Sequence, residues 1–205
     1  MSIIQAAAGG GLTLGEFIAA AAGYADSTAA ASVTTPAERQ SGDLLVALIT
    51  STDRRSPSLP SGYTDQISNQ NGRVATRTSH GTEGVVSTVY TGNDKGVIAS
   101  VVLRSCVLPA VADSAFANDS SPGDEIPAFT FTRDGFTVVA ITNTGGSSAP
   151  ALPSGYTSLI EVGSGGVGTR GYRVCYREQT PGAVGGINTG SGSVVAGVHA
   201  EYAMG

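Results

Sequence analysis

The sequence predicts an all-β protein: a jelly-roll-like sandwich built from two pseudo-repeated halves, preceded by a short N-terminal arm and helix. Three observations predict it. The first is an internal repeat, which reports architecture before chemistry. Gly42-Asp-Leu-Leu-Val-Ala-Leu-Ile…Pro57-Ser-Leu-Pro-Ser-Gly-Tyr-Thr64 returns as Gly135-Phe-Thr-Val-Val-Ala-Ile-Thr…Pro150-Ala-Leu-Pro-Ser-Gly-Tyr-Thr157, at an offset of 93 throughout. In that register Val46-Ala47 falls on Val139-Ala140, and Leu-Pro-Ser-Gly-Tyr-Thr is identical in both copies. The second is composition. Charged residues are 13% of the 205, about half the ~25% of ordinary soluble domains, and Gly, Ser, Thr and Asn carry the polarity. The third is punctuation: short apolar runs recur between Gly, Pro, Asn and Ser clusters, the signature of a sandwich or barrel.

Residues 1–30 stand outside the repeat. Met1–Gly11 ends in three glycines and reads as an arm. Thr13-Leu-Gly-Glu16 matches a capping box, and Gly23 is placed to end a helix of about two turns. So short a helix is marginal alone and must dock on something. Its apolar residues Leu12, Leu14, Phe17 and Ile18 are the expected subunit interface.

From Ala25 onward the signals are β. Leu44–Thr50 is a continuous apolar run, as in a central strand covered on both faces. Phe129–Thr132 and Tyr172–Arg177 alternate in period two. Val97–Leu103 and Val194–Ala200 close the two halves, at an offset that inserted residues move to about 97. The pseudo-repeats cover about 31–106 and 127–205, and no linker composition separates them, so 31–205 is expected as one sandwich domain. In the twin Pro-Ser-Gly-Tyr corners, Pro fixes φ, Gly allows a left-handed turn, and Tyr63 and Tyr156 are expected to lay their rings on the core.

Several chemistries are weighed and set aside. A net charge of −5 argues against nucleic acid. No segment approaches the ~20 apolar residues of a membrane helix. The Ala-rich start lacks the basic region of a secretory signal, since the first basic residue is Arg39. Gly163-Ser-Gly-Gly-Val-Gly168 spells a dinucleotide fingerprint, but a strand-like sequence follows where a helix must begin, so a hairpin loop is expected. His80 reads as a turn histidine and His199 as a strand-face histidine, neither with a nucleophile in a recognisable elbow. The acidic stretch from Asp113 to Glu125 lacks the alternating spacing of a calcium loop and reads as a solvated connection. Asn118-Asp-Ser120 is a coincidental sequon. Cys106 and Cys175 are expected as free thiols. No cofactor, metal site or catalytic residue is expected, and the chain reads as a non-enzyme.

The order Thr35-Pro-x5-Gly-Asp-Leu-Leu-Val-Ala47, then Leu-Pro-Ser-Gly-Tyr-Thr, then Thr82-Glu-Gly, then a Val-rich last strand resembles the β-sandwich virion proteins of tailed bacteriophages. That group includes capsid decoration (cement) proteins and tail or fibre modules. Its common spelling is Pro-x-Gly-Trp-Thr, where this chain has Tyr63 and Tyr156. The resemblance covers about Ala31 to Ala203. It implies a structural protein on the outer capsid surface, with the major capsid protein or other virion proteins as partners and a homo-oligomer, a trimer foremost, as the assembly. The alternative is a carbohydrate- or receptor-binding module of a tail fibre, which needs exposed aromatics in a groove.

Overall fold

The computed structural model describes residues 15–25, 28–107, 126, 128–163, 170–187 and 192–203, and the backbone of 113–116. All regular structure among them is β. The first half carries β1 (Glu16–Tyr24), β2 (Thr28–Thr34), β3 (Ser41–Thr50), β4 (Thr64–Asn69), β5 (Gly72–His80), β6 (Val85–Asp94) and β7 (Val97–Arg104). The second carries β8 (Cys106–Val107), β9 (Asp113–Phe116), β10 (Phe129–Phe131), β11 (Gly135–Asn143), β12 (Thr157–Val162), β13 (Tyr172–Gln179), β14 (Gly182–Val184) and β15 (Ser193–Tyr202).

The halves repeat one topology. Sheet one runs β1-β7-β3-β5-β4, and sheet two runs β12-β13-β11-β15 with β8 and β9 both on the far side of β15. In each half the fourth long strand lies beside the first, and the hairpin partner separates the first from the second. Every pairing is antiparallel. A two-stranded ribbon accompanies each half, β2-β6 in the first and β10-β14 in the second. A jelly-roll order is not what these pairings draw: each half keeps its long strands in one sheet instead of alternating between two.

Apolar side chains fall into three clusters. The inner one lies between the sheets, the second includes residues of the β2-β6 ribbon, and the third holds Ile126 and Ile187 with the other face of sheet two. The central strands thus bury both faces, which is why β3 and β11 read as unbroken apolar runs. Inward-facing positions match across the halves. Val46, Leu48, Val74, Ala99, Val101 and Leu103 correspond to Val138, Ala140, Val174, Ala196, Val198 and Ala200. The offset is therefore 92 between β3 and β11, 97 between β7 and β15, and 100 between β5 and β13.

This corrects the ungapped register of 93. A slip of one residue exchanges the faces of a strand. At 93, inward Val46 would meet Val139, which lies in the third cluster. The corner fixes 93, but Thr142 to Pro150 is one residue longer than Thr50 to Pro57, so the strands before it run at 92. Thr50 and Thr142, equivalent at 92, meet hydroxyl to hydroxyl at 2.7 Å in the buried interior.

The expected N-terminal helix is also corrected, because Glu16–Tyr24 is a strand. β1 pairs β7 from Glu16↔Arg104 to Tyr24↔Val97. A bulge between Phe17 and Ala19 resets the alternation, so Phe17, Ala20, Ala22 and Tyr24 pack on the inner cluster and Ile18 and Ala21 on the second. A helix buries one stripe, whereas this strand covers both faces and satisfies the edge of β7. Alanine's helical preference, a few tenths of a kcal/mol per residue, does not outweigh that. Gly23 suits the strand for a further reason: any side chain there would run into the Ser32 carbonyl of β2. Residues 1–14, with Leu12 and Leu14, lie outside the described residues.

Candidate functional site

The best-defined local structures are the two corners. Tyr63 N–H donates to the Pro60 carbonyl at 3.1 Å, and Tyr156 N–H to the Pro153 carbonyl at 3.1 Å. Gly62 and Gly155 sit at φ of 78° and 81°, the left-handed conformation a type II turn requires at its third residue. Both tyrosine rings are buried, Tyr63 in the second cluster and Tyr156 in the third. Burial raises each phenol to about 12. The hydroxyls point toward Ser100 and Thr137 respectively without closing a hydrogen bond. Just before each corner, Leu59 and Leu152, equivalent at 93, are both 40% exposed. Each corner thus buries its tyrosine and presents its leucine.

An arginine ties each loop back to its sheet. Arg73 Nε donates to the Pro57 carbonyl at 3.0 Å, and its guanidinium pairs Asp65 at 2.6 Å. Ser68 donates to the same carboxylate at 3.0 Å. In the second half Arg173 Nε donates to the Pro150 carbonyl at 2.9 Å, pairs Glu161 at 2.8 Å and donates to Ser158 at 2.9 Å. At an offset of 93, Asp65 corresponds to Ser158 and Ser68 to Glu161. Acid and hydroxyl have exchanged places around an unchanged arginine. Sequence reasoning passed over this bracket, although the reciprocal exchange is visible once the copies are aligned.

Four buried carboxylates do comparable work. Asp43 takes a bidentate hydrogen bond from Arg104, 2.9 Å on each oxygen. Asp94 accepts from the amides of Thr52, Asp53 and Lys95 and from the Ser51 hydroxyl, holding the loop after β3. Glu201 accepts from the Thr132 amide and hydroxyl. Glu83 accepts from Ser79 at 2.8 Å and from the His80 amide at 2.5 Å. Burial opposes ionisation of Glu83, but these hydrogen bonds and the Arg77 charge outweigh it and lower the carboxyl to about 2. Each carboxylate is taken up by donors of its own chain.

The two histidines sit in different settings. His80 is exposed, and only its backbone meets Glu83. His199 is buried, with Nδ1 2.9 Å from the Thr137 hydroxyl and its ring stacked on Phe129. Cys106 and Cys175 are free and buried, and burial raises both thiols to about 12. No group of three His, Cys, Asp or Glu stands together for a metal among the described residues. Most of the acidic stretch and Ser164–Thr169 lie outside those residues. The strands that flank the glycine-rich run in sequence, β12 and β13, pair antiparallel.

Of the expected interface residues, Phe17 stacks on Tyr176 at 4.6 Å and Ile18 packs on the second cluster. Both therefore contact their own sandwich. The outward face of the β2-β6 ribbon is exposed and uncharged. Its register sets Ala30 beside Val89, Ser32 beside Ser87 and Thr34 beside Val85, with Val85 65% and Val89 55% exposed and no charge among the six.

No protein-family model, curated protein or solved structure matches the chain.

Proposed function

We propose that this chain is a non-enzymatic structural protein of a tailed-bacteriophage virion, a brace that binds the outer capsid surface and stabilises it. The reading rests on where polar chemistry is spent. Asp43, Glu83, Asp94 and Glu201 each hold a loop of their own chain, and the corner tyrosines are buried, while uncharged small and β-branched residues face outward on the β2-β6 ribbon. Flat uncharged surface suits repeated contact with identical neighbours, where charge would repel. Buried corner rings count against a sugar-stacking platform and so against the tail-fibre module. The assembly is a homo-oligomer, with a trimer favoured on family resemblance alone. Leu12 and Leu14 remain the interface candidates of the N-terminal segment, since Phe17 and Ile18 pack internally.

Cosedimentation tests the reading. The full chain is expected to sediment with assembled capsids, and residues 15–205 are expected to stay soluble and folded but to bind weakly. Binding to tails and not capsids overturns the brace in favour of the appendage. Hydrolysis of a glycan, peptide or ester that is lost in His80→Ala overturns the non-enzyme reading.

A further inference from the structure

We propose that the cleft beside the second corner is a carboxylate-binding site, anchored by Arg177 and occupied by an aspartate or glutamate side chain of a neighbouring polypeptide. The first half supplies the template. Beside its corner lies a cleft of about 230 Å³ whose lining includes Tyr63, Arg77, Glu83 and Val85. Beside the second corner lies one of about 250 Å³, whose lining includes Arg177, Gln179, Pro181 and Ala183. Arg77 and Arg177 are separated by 100, the step that relates Arg73 to Arg173. Each reaches its own corner glycine, Gly62 or Gly155.

Corner residues Ser61 and Tyr63 line the first cleft, whereas the second touches its corner through Arg177, and the clefts differ in their anion. In the first, the chain supplies the anion itself: Glu83 lies 3.7 Å from Arg77 and 3.4 Å from Arg39. Glu83 comes from the four-residue loop Gly81–Gly84 between β5 and β6. The matching connection between β13 and β14 is Thr180-Pro181, two residues long and without an acid. Arg177 is exposed and makes no ion pair with any described residue. Beside it, a side chain added at Gly182 or Gly185 would meet nothing within 4 Å, so the wall is open. A guanidinium offers a planar fork of donors that matches a carboxylate. The second half keeps the fork and leaves the partner to come from outside. The site does not rest on the virion reading.

The test is a titration of the full chain, following the Arg177 Nε–Hε signal by NMR, with acetate and with the capped tripeptide acetyl-Gly-Glu-Gly-amide. Arg177 is expected to shift along a saturable curve, reaching saturation at lower concentration with the peptide, while Arg77 stays still. Thr180→Glu supplies an internal carboxylate and is expected to weaken the peptide at least about tenfold. Glu83→Gln is expected to confer the response on Arg77. A linear shift equal to that of exposed Arg55 means an adventitious ion only and overturns the site. Acetate saturating as readily as the peptide overturns the polypeptide occupant in favour of a free small carboxylate. Unchanged binding in folded Thr180→Glu overturns the placement.

Discussion

The two corner tyrosines are chemically identical and buried in different surroundings, so their substitution separates ring from hydroxyl. Each ring fills an outer cluster. Tyr63→Ala or Tyr156→Ala is expected to cost about 3–5 kcal/mol in urea denaturation, as for other large-to-small aromatic changes. Neither hydroxyl closes a hydrogen bond, and a buried polar group without a partner is a net cost. Tyr63→Phe and Tyr156→Phe should therefore be neutral or mildly stabilising. A loss comparable to that of alanine would mean the hydroxyl, not the ring, holds the corner. Glu83 makes the opposite case, a polar group whose ionised form the fold favours. In the fold its carboxyl is held down at about 2, well below the ordinary glutamate range. The stability it confers is complete above pH ~4.5 and is lost as pH falls through about 2. Denaturation midpoints from pH 7 to pH 2 should fall less steeply in Glu83→Gln than in the parent. Equal slopes would remove Glu83 from the acid response.

At the scale of elements, the arginine brackets allow a transplant. Asp65→Ser strips the partner from Arg73 and should destabilise the β4-β5 hairpin. Adding Ser68→Glu recreates the second half's arrangement in the first and should recover most of the loss. Contacting residues typically couple by ~0.5–3 kcal/mol, and a double-mutant cycle in urea would measure it. A coupling near zero would make the ion pairs surface ornaments. The same scale shows what the sequence made legible. β3 and β11, the corners and the matching of the halves follow from apolar runs, Pro-Ser-Gly-Tyr and the repeat. The register was misread because the corner is the strongest match, and one extra residue before Pro150 changes parity without leaving a visible gap. β1 was misread because Phe-Ile-Ala-Ala-Ala-Ala between Glu16 and Gly23 fits helical cues, while the decisive partner, β7, lies about eighty residues away. Nonlocal pairing overrides local propensity most readily in alanine-rich segments, whose preferences are small. Arg177 carries no signal of its own in the sequence, because its site is defined by an acid present in one half and missing in the other.

Across the whole molecule, the inner cluster joins the halves. Among the described residues, seven of its buried members come from the first half, Val46 to Leu103, and nine from the second, Cys106 to Ala200. Phe17 of β1 stacks on Tyr176, Tyr24 on Tyr172, and Thr50 binds Thr142, so polar and aromatic contacts cross the same plane. Large and small residues are distributed unequally: Leu48 and Leu103 in the first half stand where the second has Ala140 and Ala200. Two copies of one half would therefore overpack or leave cavities, and each half fits the other better than itself. The bond between them in sequence is then unnecessary once folding is complete. A protease site placed between residues 107 and 113, ahead of β9, and cut after purification should leave the fragments together in size-exclusion chromatography, at one copy each. The cut protein should unfold at lower urea in a concentration-dependent manner, because a covalent joint has become an association. Fragments that separate under native conditions, each still folded, would mean two independent domains that merely touch. Separation with unfolding of both would mean that the connection, and not the shared core, holds the sandwich closed.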